Sequence, residues 1–530
     1  MKKIVLSVAI MIAVSLGLYA QNSINDPFFE HVPYSGAFGQ QDDWTAGWAN
    51  WTPQNTVYPA TNVTISGEIT QNTTWTAGNT YLLQGFVYVN DGATLTIEPG
   101  TVIRGDKDSK GSLIIRRGAK LMAEGTIDNP IVFTSNQPAG NRYYGDWGGV
   151  ILCGKATINQ SGGEAIIEGG PDATYGGGTS PDDADNSGSL KYVRIEFPGI
   201  AFVPDKEING LTFGGAGTGT SAEYIQVSYS GDDSYEWFGG KVNVKHLIAF
   251  RGWDDDFDTD NGFGGMLQFC VALRDPEIAD PGSGSNGFES DNDANGSSNT
   301  PITSPVFSNI SIFGPKVDAT TSINTNFKRA MHLRRNTQLK VYNSIFTGFP
   351  TGLFIDGSAA QANATADDLV VKNTVISGMG TFFASDFERN YFKTSDLKND
   401  TLVNNSDLHI ADPFNLESPD FRPLAESPVA NKSTWGSDGI NELKKYGLSV
   451  NFYPNPVDAL GNFTLEIKNS GRIIINLYNM NGSIIQCISD KMMSQGVNNI
   501  SVNLSGLPSG MYVATCTSDK GTQMIKIFKD

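Results

Sequence analysis

The sequence is poor in cysteine and histidine. Its four cysteines, Cys153, Cys270, Cys487 and Cys516, show no metal-type spacing, and so few in so long a chain exclude a disulfide scaffold. Cys153 and Cys270 stand in apolar runs (VILCG, LQFCVAL) and are expected as buried thiols, whereas Cys487 and Cys516 share the last domain and could pair. Four scattered histidines, His31, His246, His332 and His409, argue against a multi-histidine zinc site. Basic residues are also scarce: 37 Lys and Arg against 56 Asp and Glu give a net charge of −19. Such a chain is a poor partner for nucleic acid or an anionic membrane, and suits cations, cation-bridged glycans or plain solubility. The one long apolar run, Ile4 to Leu18, follows Lys2 and Lys3 and precedes the small residue Ala20. That order predicts a signal peptide over residues 1–20. The run is short for a spanning helix and no Cys follows Ala20 to take a lipid, so no transmembrane segment is expected after its removal, which takes the charge to −21.

What remains is too long for one core, so two or more domains are expected. No stretch sustains a 3.6-residue apolar period, and glycine is abundant, at 59 residues. From Phe86 short strands alternate with turns: FVYVNDG, ATLTIEPG, TVIRGD, SLIIRRG, AKLMAEG, PIVFTS, GGVILCG. Strands this short suit an all-β parallel solenoid, in which only the next coil can cover each coil's backbone edge and apolar inner face. Leu95, Ile97, Val102, Ile103, Leu113, Ile115, Ile131 and Phe133 are the expected inner positions.

The segments GATLTIEPGTVIRG, RRGAKLMAEGTIDNPIVFTS and GDWGGVILCG resemble the opening coils of right-handed parallel β-helix proteins, which include pectate lyases, polygalacturonases and surface adhesins. Later coils fit, among them AEYIQVSYSG, VNVKHLIAFRG and LVVKNTVISG, and the resemblance spans residues 80–430. It implies a fold and no particular activity. Residues 21–79, with Trp44, Trp48 and Trp51, are expected to cap the open N-terminal end against edge pairing. A sugar-stacking platform is the other role open to those tryptophans. ADPFNLESPDFRPLAESPVAN resembles a closing segment, and residues 431–447 read as a linker.

Residues 448–530 alternate apolar and polar positions around a hairpin-like Asn481–Gly482, as an antiparallel β-sandwich does. YPNPV (Tyr453 to Val457), LPSGMY (Leu507 to Tyr512) and K-x-x-K (Lys526 to Lys529) resemble the type A sorting domain of Bacteroidetes type IX secretion substrates. The resemblance implies that the type IX machinery is the partner of residues 448–530. It also implies transport across the outer membrane, followed by surface attachment or release.

The densest chemistry lies in RGWDDDFDTDNGFGG, Arg251 to Gly265. An extended chain would place Asp254, Asp256, Asp258 and Asp260 on one face and Asp255 on the apolar one. Twenty-two residues before Asp254 lies Asp232, with Asp233 and Glu236 beside it, and WFGG echoes GFGG as if on successive coils. Stacked carboxylates roughly 4.8 Å apart suit Ca²⁺ or, equally, a retaining glycosidase pair. Asp291, Asp293 and Asn295, with Glu289 nearby, match half of a calcium loop, as do Asp183, Asp185 and Ser187. Ile302 and Arg194 stand where an EF-hand needs its last acid. The basic cluster RAMHLRRN adds His332, Arg334 and Arg335. With Arg251 they could act as base beside a calcium ion, as in pectate-lyase-type elimination, or simply pair with acids as an ion ladder. No Gly-His-Gly or Arg-Ile-Lys segment completes a polygalacturonase pattern. The expected function is therefore calcium-stabilised binding of a glycan or surface. The rival is a polysaccharide lyase or glycoside hydrolase using Asp256 and Asp258 with Arg251, His332 or Arg334, and the question of catalysis stays open.

Overall fold

The computed structural model describes residues 23–203, 206–435 and 448–529, apart from Asn455, 468–469, 480–483 and 519–520. The signal peptide, most of the linker and the Asn481–Gly482 turn lie outside the described residues. Two compact units appear, a long solenoid and a small C-terminal unit.

The solenoid is a stack of parallel strands. One ladder runs through Ser112–Ile115, Val150–Cys153, Leu211–Gly214, Tyr235–Phe238, Phe257–Asp260, Phe288–Ser290, Arg329–Leu333 and Thr351–Ile355. A second runs through Gly188–Glu196, Ser221–Ser228, Asn243–Phe250, Met266–Leu273 and Val306–Phe313. Alternation of side chains sends one set inward, so Phe213 stacks on Trp237 and Tyr235 on Phe257 in a single core. Each such side chain fully buried contributes about 1.5–3 kcal/mol. Of the expected inner positions only Val102 is half-buried; its neighbour Ile103 carries the contact.

One corner repeats a left-handed residue on successive coils. Tyr192, Tyr224, His246 and Phe269 have φ of 49°, 54°, 56° and 58°, a conformation unfavourable for residues with a Cβ. Their rings stack one over the next, with centroids 4.7, 4.3 and 5.3 Å apart, and this offsets the strain.

The N-terminal segment covers this aromatic ladder and does not cap the end. Trp44 packs on His246, Trp48 on Tyr192 and Tyr224, and Trp51 on Phe250. Gly36 donates to the Asn343 carbonyl, Asn50 exchanges hydrogen bonds with Gln226, and the Gln54 carbonyl accepts from Gly140. The segment thus runs back along the solenoid from late coils to early ones. The stacked rings form an apolar stripe that needs a cover along its whole length, and tryptophans carried on a strap of successive turns supply it. The solenoid also starts earlier than expected, because Val63–Ile69 already pairs in parallel with Thr80–Val89. At the far end lie two short helices, Ser358–Thr365 and Asp386–Phe392, the second capped by Ser385 accepting from the Phe387 amide. The closing segment then returns to the lateral face, where Phe421 stacks on Phe38 and Phe313.

In the C-terminal unit a three-stranded antiparallel sheet (Leu448–Tyr453, Leu460–Ile467, Gly496–Asn503) accompanies a four-stranded one. Phe463, Leu465, Ile475, Leu477 and Cys516 belong to their core. Cys487 and Cys516 do not pair: the strand Gly471–Tyr478 lies between theirs, and Cys487 is exposed while Cys516 is buried. Two strand spacings, about 9.6 Å, exceed the Cα separation a disulfide bridges. Cys153 and Cys270 are buried, which pushes both thiols up to about 12. Among the described residues no helix is long and apolar enough to cross a membrane.

Candidate functional site: a buried acid ladder

Four strands of the first ladder carry the site. Their register places Glu236, Asp258, Glu289 and His332 side by side on the outward face. The inward neighbours Tyr235, Phe257, Phe288 and Met331 are fully buried and fix the strands from behind. At the corner just before these strands, Asp233, Asp255 and Asn286 form a second column. Asp233 Oδ1 accepts the Asp255 N–H at 2.8 Å, and Asp255 Oδ1 accepts the Asn286 N–H at 2.5 Å. Asn286 Oδ1 in turn accepts the Arg329 N–H at 3.2 Å.

These columns bring seven carboxylates together in three overlapping groups, within each of which the ligand atoms lie within 4.8 Å of one another. Asp232, Asp233 and Asp254 form one, Asp233, Glu236 and Asp258 the next, and Asp255, Asp258 and Glu289 the third. Asp254 Oδ1 and Asp258 Oδ1 are buried and have no hydrogen-bond partner. Asp254 Oδ2 accepts from Ser283 Oγ at 2.5 Å, and Asn209 Nδ2 donates to both Glu236 and Glu168.

Burial, followed by the repulsion of neighbouring acids, holds Asp232, Asp233, Glu236, Asp254 and Asp258 well above the usual carboxylate range. Asp255 is pushed up to about 7 by the same causes. Glu289 is the exception. Burial pushes it up, but the hydrogen bond from His332 and the charge of Arg334 outweigh that and leave it lowered. His332 Nδ1 lies 3.1 Å from Glu289 and Nε2 3.0 Å from Asp356, with its ring stacked on Phe354. Arg334 bridges Glu289 and Asp291.

Several residues expected in the site stand elsewhere. Residues 251–256 are not extended. Arg251 is left-handed, with φ of 55°, and the strand begins only at Phe257. The assumed alternation therefore fails: Asp255 joins the acids, and Asp256 points inside to Arg274 Nε at 3.0 Å, both side chains fully buried. Asp260 lies outside the three groups and accepts the Asn261 N–H at 2.6 Å. Arg251 pairs with Asp275 and lies over the Tyr229 ring, away from the acids.

The half-loop of Asp291, Asp293 and Asn295 uses its oxygens otherwise. Asp291 is held by Arg334 and Arg335, and Asp293 accepts from the Asn295 and Ser297 amides and from Ser297 Oγ. Asp183 accepts the Thr157 N–H and Asp185 the Ser187 hydroxyl. Asp255, Asn209, Asn286 and Arg274 escaped the sequence reading. The signal was available for three of them, since Asn209, Asp233, Asp255 and Asn286 each precede an aligned strand by the same two residues.

Residues 67–411 match the family described as a pectate-lyase-like beta helix domain, and residues 451–530 the secretion system C-terminal sorting domain. No curated protein matches the chain. Among solved structures, the enzymatically active domain of tailspike protein 4 of bacteriophage CBA120 shares 9% identity at a TM-score of 0.26. That likeness covers 88% of this chain and 63% of the tailspike chain, so the chain spans less than two thirds of that relative's length. The corresponding domain of tailspike protein 2 from the same phage shares 8% identity at a TM-score of 0.20, over 85% of this chain and 72% of that one.

Proposed function

Because this chain belongs to the pectate-lyase-like β-helix family and ends in a sorting domain that marks it for export across the outer membrane to the cell surface or extracellular space, we propose that it is a glycan- or surface-binding protein whose acid ladder holds calcium. One observation carries this reading. The rung that Asn286 fills without charge is filled by Asp233 and Asp255 on the two preceding coils, although an asparagine would accept the same N–H bonds. Stacking buried carboxylates where a neutral amide suffices costs stability, and a bound cation removes that cost. The ligands are hard oxygens, as Ca²⁺ prefers, and Asp254 Oδ1 and Asp258 Oδ1 have no other partner.

The test uses the full exported chain. Calcium should raise its melting temperature relative to chelator, and calcium should be required for retention on at least one polysaccharide of a neutral and acidic panel. A melting temperature indifferent to both calcium and chelator would remove the ion from the proposal.

A second reading rests on the pair Asp258 and Glu289. They face each other on adjacent strands, and their surroundings drive them apart, Asp258 towards the acid form and Glu289 towards the carboxylate. Such a split assigns an acid and a base or nucleophile to a glycoside hydrolase. New reducing ends from a polysaccharide, abolished by Asp258→Asn, would favour hydrolysis over binding alone. The lyase variant has less support, because His332, Arg334 and Arg251 are all engaged by carboxylates.

A further inference from the structure

Beside the acid ladder lies a cleft of about 260 Å³ whose walls include Tyr143, Tyr144, Trp253, Glu277, Asn324 and Asn326. Its three aromatic rings are mutually near-perpendicular: Tyr143 to Tyr144 at 84°, Tyr143 to Trp253 at 82°, Tyr144 to Trp253 at 85°. Tyr143 is 58% exposed, a large apolar face left open to solvent. Tyr144 is 9% exposed, and its hydroxyl is buried without a hydrogen-bond partner. That hydroxyl is turned away from the cleft, towards Arg251, Asp275 and Tyr229, so Tyr144 offers the cleft its ring and not its hydroxyl. The loop of residues 276–285 forms a wall and ties the cleft to the acids. The Asp280 amide and Ser285 Oγ both donate to the Trp253 carbonyl, at 3.0 and 2.6 Å, while Ser283 Oγ donates to Asp254.

We propose that this cleft is a subsite for one uncharged sugar ring of a glycan. It rests on the glycan-binding reading and names the part of the glycan that this face takes. A pyranose presents apolar C–H faces to aromatic rings and hydroxyls to polar groups at its edge, which matches three rings bordered by Asn326 and Glu277. The volume falls below the roughly 300–1,000 Å³ of pockets for drug-sized ligands, so one ring is the appropriate size. Charge decides between sugar classes. Glu277 lines the cleft, Asp280 and Asp254 flank its wall, and Arg251, the guanidinium behind Tyr144, is already paired with Asp275. Among the residues lining the cleft a uronate carboxylate would meet Glu277 and no cation, the nearest free ammonium being Lys328 Nζ, 3.4 Å from the Thr325 carbonyl at the cleft edge.

The experiment titrates the full exported chain, with calcium present, against tetrasaccharides of glucose, mannose, galactose and N-acetylglucosamine, against tetragalacturonate, and against choline. Calorimetry and tryptophan fluorescence give the readout. At least one neutral tetrasaccharide should bind, tetragalacturonate should bind at least about tenfold more weakly, and Tyr143→Ala should weaken the neutral ligand roughly tenfold. Tyr143 is exposed enough that folding should be unaffected, and Trp253→Phe, which keeps a ring, should weaken binding less than Trp253→Ala. Preference for choline would make the corner a quaternary-ammonium cage and overturn the proposal. So would neutral-sugar binding indifferent to Tyr143→Ala. If a glycan binds with sensitivity to Asp258→Asn but not to Tyr143→Ala, the subsite fails and the glycan-binding reading survives. If no glycan binds, both fail.

Discussion

Asp233 Oδ1 accepts the backbone N–H of Asp255 at 2.8 Å, and two coils beyond Asp233 the uncharged Asn286 stands on the same rung. An amide at residue 255 would keep the bond to Asn286 N–H and remove one of the crowded charges. Asp255→Asn is therefore expected to raise the melting temperature by a few degrees in chelator at pH 8, measured by calorimetry. A lower value there would show that the charge stabilises the ladder.

The ladder also sets a pH dependence. An acid whose folded pKa is raised binds more protons folded than unfolded, so its stability is fully present below the unfolded value near 4 and is lost as pH rises through the folded value. Asp255, raised to about 7, and the five acids raised further should make the calcium-free protein less stable at pH 8 than at pH 5. His246 acts oppositely. Burial lowers it to about 4, and its contribution is lost as pH falls from about 6.5 through that value. Asp256 and Asp260 are raised to about 7 as well, and burial lowers His31 as it does His246, so eight raised acids stand against two lowered histidines and the net slope is negative. Melting curves across this range in chelator check the sign, and calcium should flatten the profile.

Arg274 and Asp256 are both fully buried, and Arg274 also donates to the Gly252 and Asn286 carbonyls. Removing either partner leaves a charge inside the coil. Asp256→Ala should cost about 3–5 kcal/mol in chemical denaturation, while calcium affinity in the surviving folded fraction should change little. A large loss of calcium binding at unchanged stability would return Asp256 to the ion site.

Trp48 is 1% exposed against the stacked Tyr192 and Tyr224. Trp48→Ala should cost about 3–5 kcal/mol and uncover the aromatic ladder to hydrophobic dyes. Were the strap an end cap, the loss would show instead as fraying of the first coil in hydrogen exchange.

The repeating apolar positions and turns determined the parallel solenoid, because an inner Val, Ile or Phe at each coil has no other way to be buried. YPNPV, LPSGMY and the alternating tail determined the sorting domain in the same local manner. The echo of WFGG in GFGG was enough to put Asp232, Asp233 and Glu236 beside Asp254 and Asp258. Tertiary structure decided which aspartate faces where. A left-handed turn at Arg251 breaks the period of two, and it exchanges Asp255 for Asp256. It also decided that Trp44, Trp48 and Trp51 lie along the solenoid, since the stripe they cover exists only once Tyr192, Tyr224 and His246 are stacked. The aromatic cleft shows the same limit: Tyr143 and Trp253 are 110 residues apart in the chain, and only coil stacking makes them neighbours.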